Sequence, residues 1–379
     1  MDSPAALRIL PRALGSACWP VAIVGLLAGP LPARAQNPSN PDNPWVVTPE
    51  AVDFARNQPL FQSDAPLELT LSGPFTTIRK KDRDDDAEER PATLTFRKSD
   101  GTEVELEIKL ETRGNWRREP RNCDFPPLWL DLDKDDPKLE GTVFEGQNRL
   151  KLYVTCRPGR DEYEQYILEE YLVYPTYNLL TDASFLARLA HVRYEDTDDP
   201  EESFASWAFI LEHKYQMAAR NEAVPLEAPA VHPRLMQPEK STLEALFNYM
   251  VGMTDYSSVY RHNVEVIRTM DDQIIPVTYD FDWSGLVNTR YAVPDPKLDI
   301  RNVRERIYQG FCWDFDAEPV FQRFLDHQDQ ILSLWRDFSL IDEDRRKKAV
   351  SFLDDFFERI ADPGRWRRVM RDCRDIPRD

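Results

Sequence analysis

Residues 241–288, STLEALFNYMVGMTDYSSVYRHNVEVIRTMDDQIIPVTYDFDWSGLVN, restrict the folding options of this chain more than any other stretch. Ser241 followed by Glu244 has the form of a capping box, and Leu243, Leu246, Phe247, Met250 and Val251 recur at helical spacing, so an amphipathic helix is expected to begin here. That helix delivers Thr254-Asp255-Tyr256-Ser257-Ser258 to its C-terminal end. Val264, Val266 and Ile267 then precede the turn Met270-Asp271-Asp272-Gln273, and Ile274 to Tyr279 follow it, which is the pattern of a β-hairpin. Asp280-Phe281-Asp282 starts where the second strand stops. Asp255 and Asn263 therefore belong at one end of the hairpin, with Asp280 and Asp282 as neighbours. Facing oxygen ligands repel one another unless a cation lies between them, and Mg²⁺ is satisfied by one or two carboxylates plus phosphate oxygens. The competing reading makes Asp255 a turn cap and the DFD run a solvated strand end.

The chain has 379 residues and a net charge of −19, so most of its surface repels a nucleic-acid backbone or an anionic membrane. No nucleic-acid partner is expected. Arg8 and Arg12 precede an apolar run from Cys18 to Leu31 that ends in Ala33-Arg34-Ala35, the form of a secretory signal peptide cleaved near Ala35. Pro20, Pro30 and Pro32 argue against a spanning helix there, and no later stretch is long and apolar enough to cross a membrane. The mature chain is then a secreted or periplasmic protein. Export leaves Cys123, Cys156, Cys312 and Cys373, an even set with three possible pairings, of which the pairs nearest in the chain, Cys123 with Cys156 and Cys312 with Cys373, are favoured. Zinc is not expected, because there is no CxxC and the five histidines lack ligand spacing.

Four regions follow from the punctuation of the sequence: a signal peptide over 1–35, an extended Pro- and Asn-rich leader over 36–62, a β-rich N-terminal lobe with one long helix over 63–224, and a C-terminal lobe over 225–379 with the acidic loop and terminal helices. The Pro-rich run 225–238 marks the boundary between the lobes. In the first lobe, Leu67–Leu71, Thr93–Phe96, Thr102–Leu110, Leu128–Leu132, Arg149–Thr155, Arg188–Tyr194 and Ser203–Leu211 read as strands, and Glu162–Leu180 reads as a helix. The mixed-charge run RKKDRDDDAEER over 79–90 reads as a solvated loop. After Arg113-Gly114-Asn115 a loop carries Arg117, Arg118 and Arg121, which either bind phosphate through charge-assisted contacts or pair with neighbouring carboxylates. Lys151 alternates with Leu150 and Leu152 and projects from its strand, and Glu169 and Glu170 lie where a helix carboxylate could meet it.

The order of these parts, strand lysine, helix glutamates, connector, helix, aspartate, asparagine and strand-end aspartate, is that of phosphoryl-transfer kinases. Arg113-Gly114-Asn115 at a strand end, the FILE stretch ending at Glu212, Thr254-Asp255-Tyr256-Ser257 before His262-Asn263, and Pro276-Val-Thr-Tyr-Asp280-Phe-Asp282 resemble the spore-coat protein H (CotH) family of secreted kinase-like proteins. The resemblance implies an α+β, two-lobed atypical protein-kinase-like fold with a β-rich N-terminal lobe and a mostly helical C-terminal lobe. It implies Asp255 as the catalytic aspartate and Asp280, Asn263 and Asp282 around Mg²⁺ or Mn²⁺. Lys151, Glu169, Arg113 and Glu212 become candidates for holding ATP, and a protein becomes the phosphoryl acceptor. The alternative is a non-catalytic, kinase-like extracytoplasmic binding protein, in keeping with arginines and Cys123 standing in the loop where such proteins carry lysines.

Overall fold

A short hairpin of β1 (Ser39–Asn40) and β2 (Asn43–Val47) leads into α1 (Pro49–Asn57), whose N-cap Thr48 accepts a hydrogen bond from the Ala51 N–H at 3.2 Å. The computed structural model describes residues 39–40, 43–81 and 88–377, so the expected signal peptide and part of the mixed-charge run lie outside the described residues. Residues 49–57 of the leader are thus helical where Pro and Asn suggested extension, because Thr48 and Pro49 form a cap and first turn.

Seven strands follow, most of them carrying alternating apolar residues: β3 (Leu67–Gly73), β4 (Arg90–Arg97), β5 (Glu103–Thr112), β6 (Leu128–Asp131), β7 (Arg149–Val154), β8 (Ala187–Asp196) and β9 (Phe204–Leu211). They close into a barrel in the order β3-β4-β5-β6-β7-β9-β8, and the seam is a parallel pairing of β8 with β3 from Leu67 opposite Ala190 to Gly73 opposite Asp196. Leu71, Leu94, Leu110, Leu130, Leu152 and Ile210 fill the interior. α2 (Phe75–Lys81) puts Phe75 and Ile78 into the same core. This closed barrel replaces the expected two-lobed, kinase-like architecture with a helical C-terminal lobe. The physical reason is the β3–β8 seam, which joins segments more than 100 residues apart and leaves no mark on local periodicity.

The long helix α3 (Asp161–Asn178) lies against the outer face of the barrel, where Tyr153 of β7 and Phe209 of β9 stack with ring centroids 4.5 Å apart. α4 (Lys214–Arg220) and β10 (Ala223–Pro225) come next, then α5 (Pro238–Val251) and the hairpin β11 (Val264–Thr269) and β12 (Ile274–Thr278). β10, β11 and β12 form a three-stranded antiparallel sheet. α5 starts earlier than the expected cap at Ser241: Gln237 is its N-cap, with Pro238 in the first turn. The terminal helices α6 (Glu318–Asp326), α7 (Gln328–Asp337), α8 (Glu343–Ile360) and α9 (Pro363–Val369) complete a second core with α3 and α5. The apolar residues between Phe321 and Trp335 lie on two helices, α6 and α7, that meet at His327.

Both favoured cysteine pairs are bridged, Cys123 to Cys156 and Cys312 to Cys373. Two such bridges fit a chain that matures in an oxidising compartment. Among the described residues no helix is long and apolar enough to cross a membrane.

Candidate functional site

α3 is buried on almost every side, and consecutive residues on a helix point about 100° apart, so its two adjacent glutamates face different surroundings. Glu169 turns toward α8, where Arg345 forks onto it with nitrogen–oxygen distances of 3.0 and 2.7 Å. Glu170 turns toward the barrel wall and the acidic loop after β12. It is 1% exposed, and its Oε1 has no hydrogen-bond partner among the described residues. Burial pushes its carboxyl well above the usual range, and the charges of Asp282 and Asp280 push it the same way. Asp282, also buried, is raised by the same two causes, burial first and then Asp280, while its Oδ2 accepts from the Tyr291 hydroxyl at 3.0 Å.

The backbone sets these aspartates where a strand ends. Asp280 adopts the left-handed conformation with φ 66°, and its N–H donates to the Tyr174 hydroxyl at 3.1 Å. Tyr174 lies one helical turn beyond Glu170, so one face of α3 carries a carboxylate and the hydroxyl that anchors Asp280. Asn263, at φ 51°, is also left-handed; its Nδ2 donates to the Asp255 carbonyl at 2.8 Å, and Asp255 Oδ1 is 3.0 Å from His262 Nε2. The His262 pKa is raised, first by that hydrogen bond. Non-glycine residues held left-handed cost about 1 kcal/mol or more each, and two of them flank this acidic loop.

Opposite the carboxylates stand cations. Arg113 leaves the end of β5 with its guanidinium over the Tyr153 ring at 4.5 Å and an Nη2 donating to the Tyr153 hydroxyl at 3.3 Å. Lys151 projects from the outer face of β7, its ammonium 4.7 Å from the Tyr279 ring centre and 5.6 Å from that of Trp129. Burial pushes Lys151 down to about 8, with Arg113 acting in the same direction and Glu265 and Asp280 opposing. Arg117, buried in the 3₁₀ turn Trp116–Arg118, donates to the Val154 carbonyl and feels the charges of Asp282, Glu170 and Asp280.

Of the sequence-predicted set, Arg113, Lys151 and Asp282 each lie within electrostatic reach of Asp280, Asp255 is within reach of Asp282, and Asn263 is hydrogen-bonded to Asp255. Glu169 is not gathered there, since Arg345 holds it elsewhere. Glu212 is not either: fully buried, it accepts from Gln58, Arg220 and the Leu186 N–H and fastens α4 to the barrel. Of the two helix glutamates that sequence reasoning left open, Glu170 is the one within reach of Asp280 and Asp282, and Arg117 is the buried member of the arginine loop.

The three carboxylates are wider apart than tight ligand spacing. Among the described residues, the group whose ligand atoms all lie within 4.8 Å is Glu89, Glu111 and Asp131, and there Arg149 reaches Glu111 at 2.6 Å and Lys109 reaches Glu89 at 3.0 Å. Those ion pairs account for that cluster without a metal. Glu170, Asp280 and Asp282 could hold a divalent cation on different grounds, an orphaned buried oxygen and mutual repulsion, and Arg113, Arg117 and Lys151 are the cations whose charges reach them. Compared with known proteins, the chain matches no family model, and no curated sequence matches it either.

Proposed function

We propose that this site binds a divalent cation together with a phosphate-bearing nucleotide and transfers a phosphoryl group to a protein acceptor outside the cytoplasm. The observation that carries the reading is Glu170 Oε1, a buried carboxylate oxygen with no donor, beside two further carboxylates that raise its pKa. A buried carboxylate oxygen left without a hydrogen-bond partner is costly, and a cation at this point would supply a partner. When bound, Mg²⁺ or Mn²⁺ supplies charge neutralisation for the phosphate oxygens. The chain's own groups do the rest. Asp280 and Asp282 hold the cation side, Arg113, Arg117 and Lys151 orient the phosphates, and Asp255, half-exposed and hydrogen-bonded to His262, receives the acceptor hydroxyl. The motifs that resemble those of the CotH family are in keeping with this chemistry, although the architecture around them is a closed barrel. The two bridges support export as a secreted or periplasmic protein.

A second reading is favoured by charge balance: three carboxylates face three cations, so the cluster can also serve as the structural heart of a non-catalytic binding protein. Thermal unfolding with Mg²⁺-ATP separates the two. Ligand at 100 times its dissociation constant stabilises by about 2.7 kcal/mol. Stabilisation with transfer of the γ-phosphoryl to casein or to the chain itself supports the enzyme. No shift with Mg²⁺, Mn²⁺ or any nucleoside triphosphate assigns the cluster a structural role.

A further inference from the structure

Arg117 is buried, and a guanidinium stays out of water only where its position is fixed from several sides. Its loop has no regular element beyond one 3₁₀ turn, so the fixing comes from tertiary contacts. One terminal nitrogen donates to the Val154 carbonyl at the end of β7. The neighbouring Trp116 ring lies 4.8 Å from Tyr291, whose hydroxyl donates to Asp282. Just beyond, the N–H groups of Asp124 and Phe125 both donate to the Cys156 carbonyl, at 2.9 and 3.2 Å, and Cys123 is bridged to Cys156. The arm that carries Arg117, which lies within electrostatic reach of Asp282 and Glu170, is thus fastened to the barrel over Val154 to Cys156, with one covalent link among the fastenings.

We infer that the Cys123–Cys156 bridge is a maturation gate for the site, completing the Arg117 arm only when the two thiols are oxidised, so that phosphate binding begins on arrival in an oxidising compartment. This rests on the cation and phosphate reading given above. Bridge formation removes two protons and two electrons from the cysteines; the acceptor is an exchanging disulfide, which leaves as two thiols. Before that step the loop is free to solvate its arginine, and the carboxylates lose one of their opposing cations. After it, both sulfurs are buried, Cys123 at 0% and Cys156 at 2% exposure, so the folded chain is shielded from thiol reductants and the gate acts once.

The gate predicts a separation between cation and phosphate. In the full mature chain, Cys123→Ser/Cys156→Ser should weaken Mg²⁺-ATP binding about tenfold, the loss of one charge-assisted contact, while Mn²⁺ alone binds no more weakly, since a positive charge has left its surroundings. Arg117→Gln, with the bridge intact, should do the same. Cys312→Ser/Cys373→Ser, which cuts the bridge that does not join the arm to the barrel, should keep parental affinity. Titration calorimetry on the four proteins, with far-ultraviolet circular dichroism as a check of folding, reads the result. Parental Mg²⁺-ATP affinity in the Cys123/Cys156 variant overturns the gate, and if that variant does not fold, parental affinity in Arg117→Gln overturns it instead. If the parent binds neither Mn²⁺ nor Mg²⁺-ATP, the reading of the site itself fails, and the gate with it.

Discussion

Asp255 and Asp280 occupy different physical positions, and that difference is testable one residue at a time. Asp280 sits in a left-handed backbone conformation among buried charges, where Asn keeps the shape and removes the charge. Asp280→Asn should lose divalent-cation and Mg²⁺-ATP binding together. Asp255 is 41% exposed in its side chain and bonded to His262, so Asp255→Asn should keep Mg²⁺-ATP affinity within about threefold yet lose transfer, because its contact with the acceptor strengthens in the transition state. Calorimetry beside a phosphoryl-transfer assay measures both. Glu244 makes a separate prediction. It is buried beneath the loop, accepts from Asn248 at 3.0 Å and from Ser258, and burial pushes its carboxyl up to about 8 from 4.5. A neutral carboxyl retained in the folded state stabilises fully below the unfolded value, and that contribution is lost as pH rises through about 8. Glu244→Gln, neutral at every pH, should therefore gain stability relative to the parent between pH 5 and pH 9. Urea midpoints across that window that stay parallel would contradict this placement of the Glu244 proton.

At the scale of elements, α3 carries the sharpest contrast. Glu169→Gln leaves Arg345 with a weakened partner and should destabilise by about 1 to 3 kcal/mol without touching cation affinity. Glu170→Gln removes the ionisable charge that Asp282 and Asp280 repel, so it should hold or raise stability while lowering Mn²⁺ affinity at least about tenfold. Chemical denaturation and Mn²⁺ titration of the two variants decide the assignment. Sequence alone did not separate them, because α3 shows no amphipathic stripe: Tyr163, Tyr166, Tyr171, Tyr174 and Tyr177 bury its whole circumference. The hairpin β11–β12 and the aspartates that follow it were legible for the opposite reason, since alternation, turn and acidic run are all local. Arg117 lay between these cases. Its cluster was visible, whereas its burial depends on Val154 and Tyr291, which reach it only through tertiary packing.

The whole molecule differs from the two-lobed expectation in how its cores are joined. A kinase-like pair of lobes meets at a connector and can loosen one lobe at a time. Here β7, β8 and β9 are a shared wall: Leu152 and Ile210 face into the barrel, while Tyr153, Phe209 and Leu189 on the same strands face the helices. A wall that belongs to two cores cannot lose one side and keep its strand order, so barrel and helical layer should unfold together. Each strand was readable from its own alternation, but the β3–β8 seam that turns seven strands into a closed wall depends on pairing across the chain. Leu152→Ala inside the barrel and Phe247→Ala in the helical core should each cost about 2 to 5 kcal/mol. Both should lower the midpoint of one and the same transition. Calorimetry of the disulfide-intact chain, compared with near- and far-ultraviolet circular dichroism, gives the test, since a single cooperative step requires coincident melts and agreement of calorimetric with van't Hoff enthalpy. Two resolved transitions, one moved by Leu152→Ala and the other by Phe247→Ala, would separate the barrel from the helices and restore independent lobes.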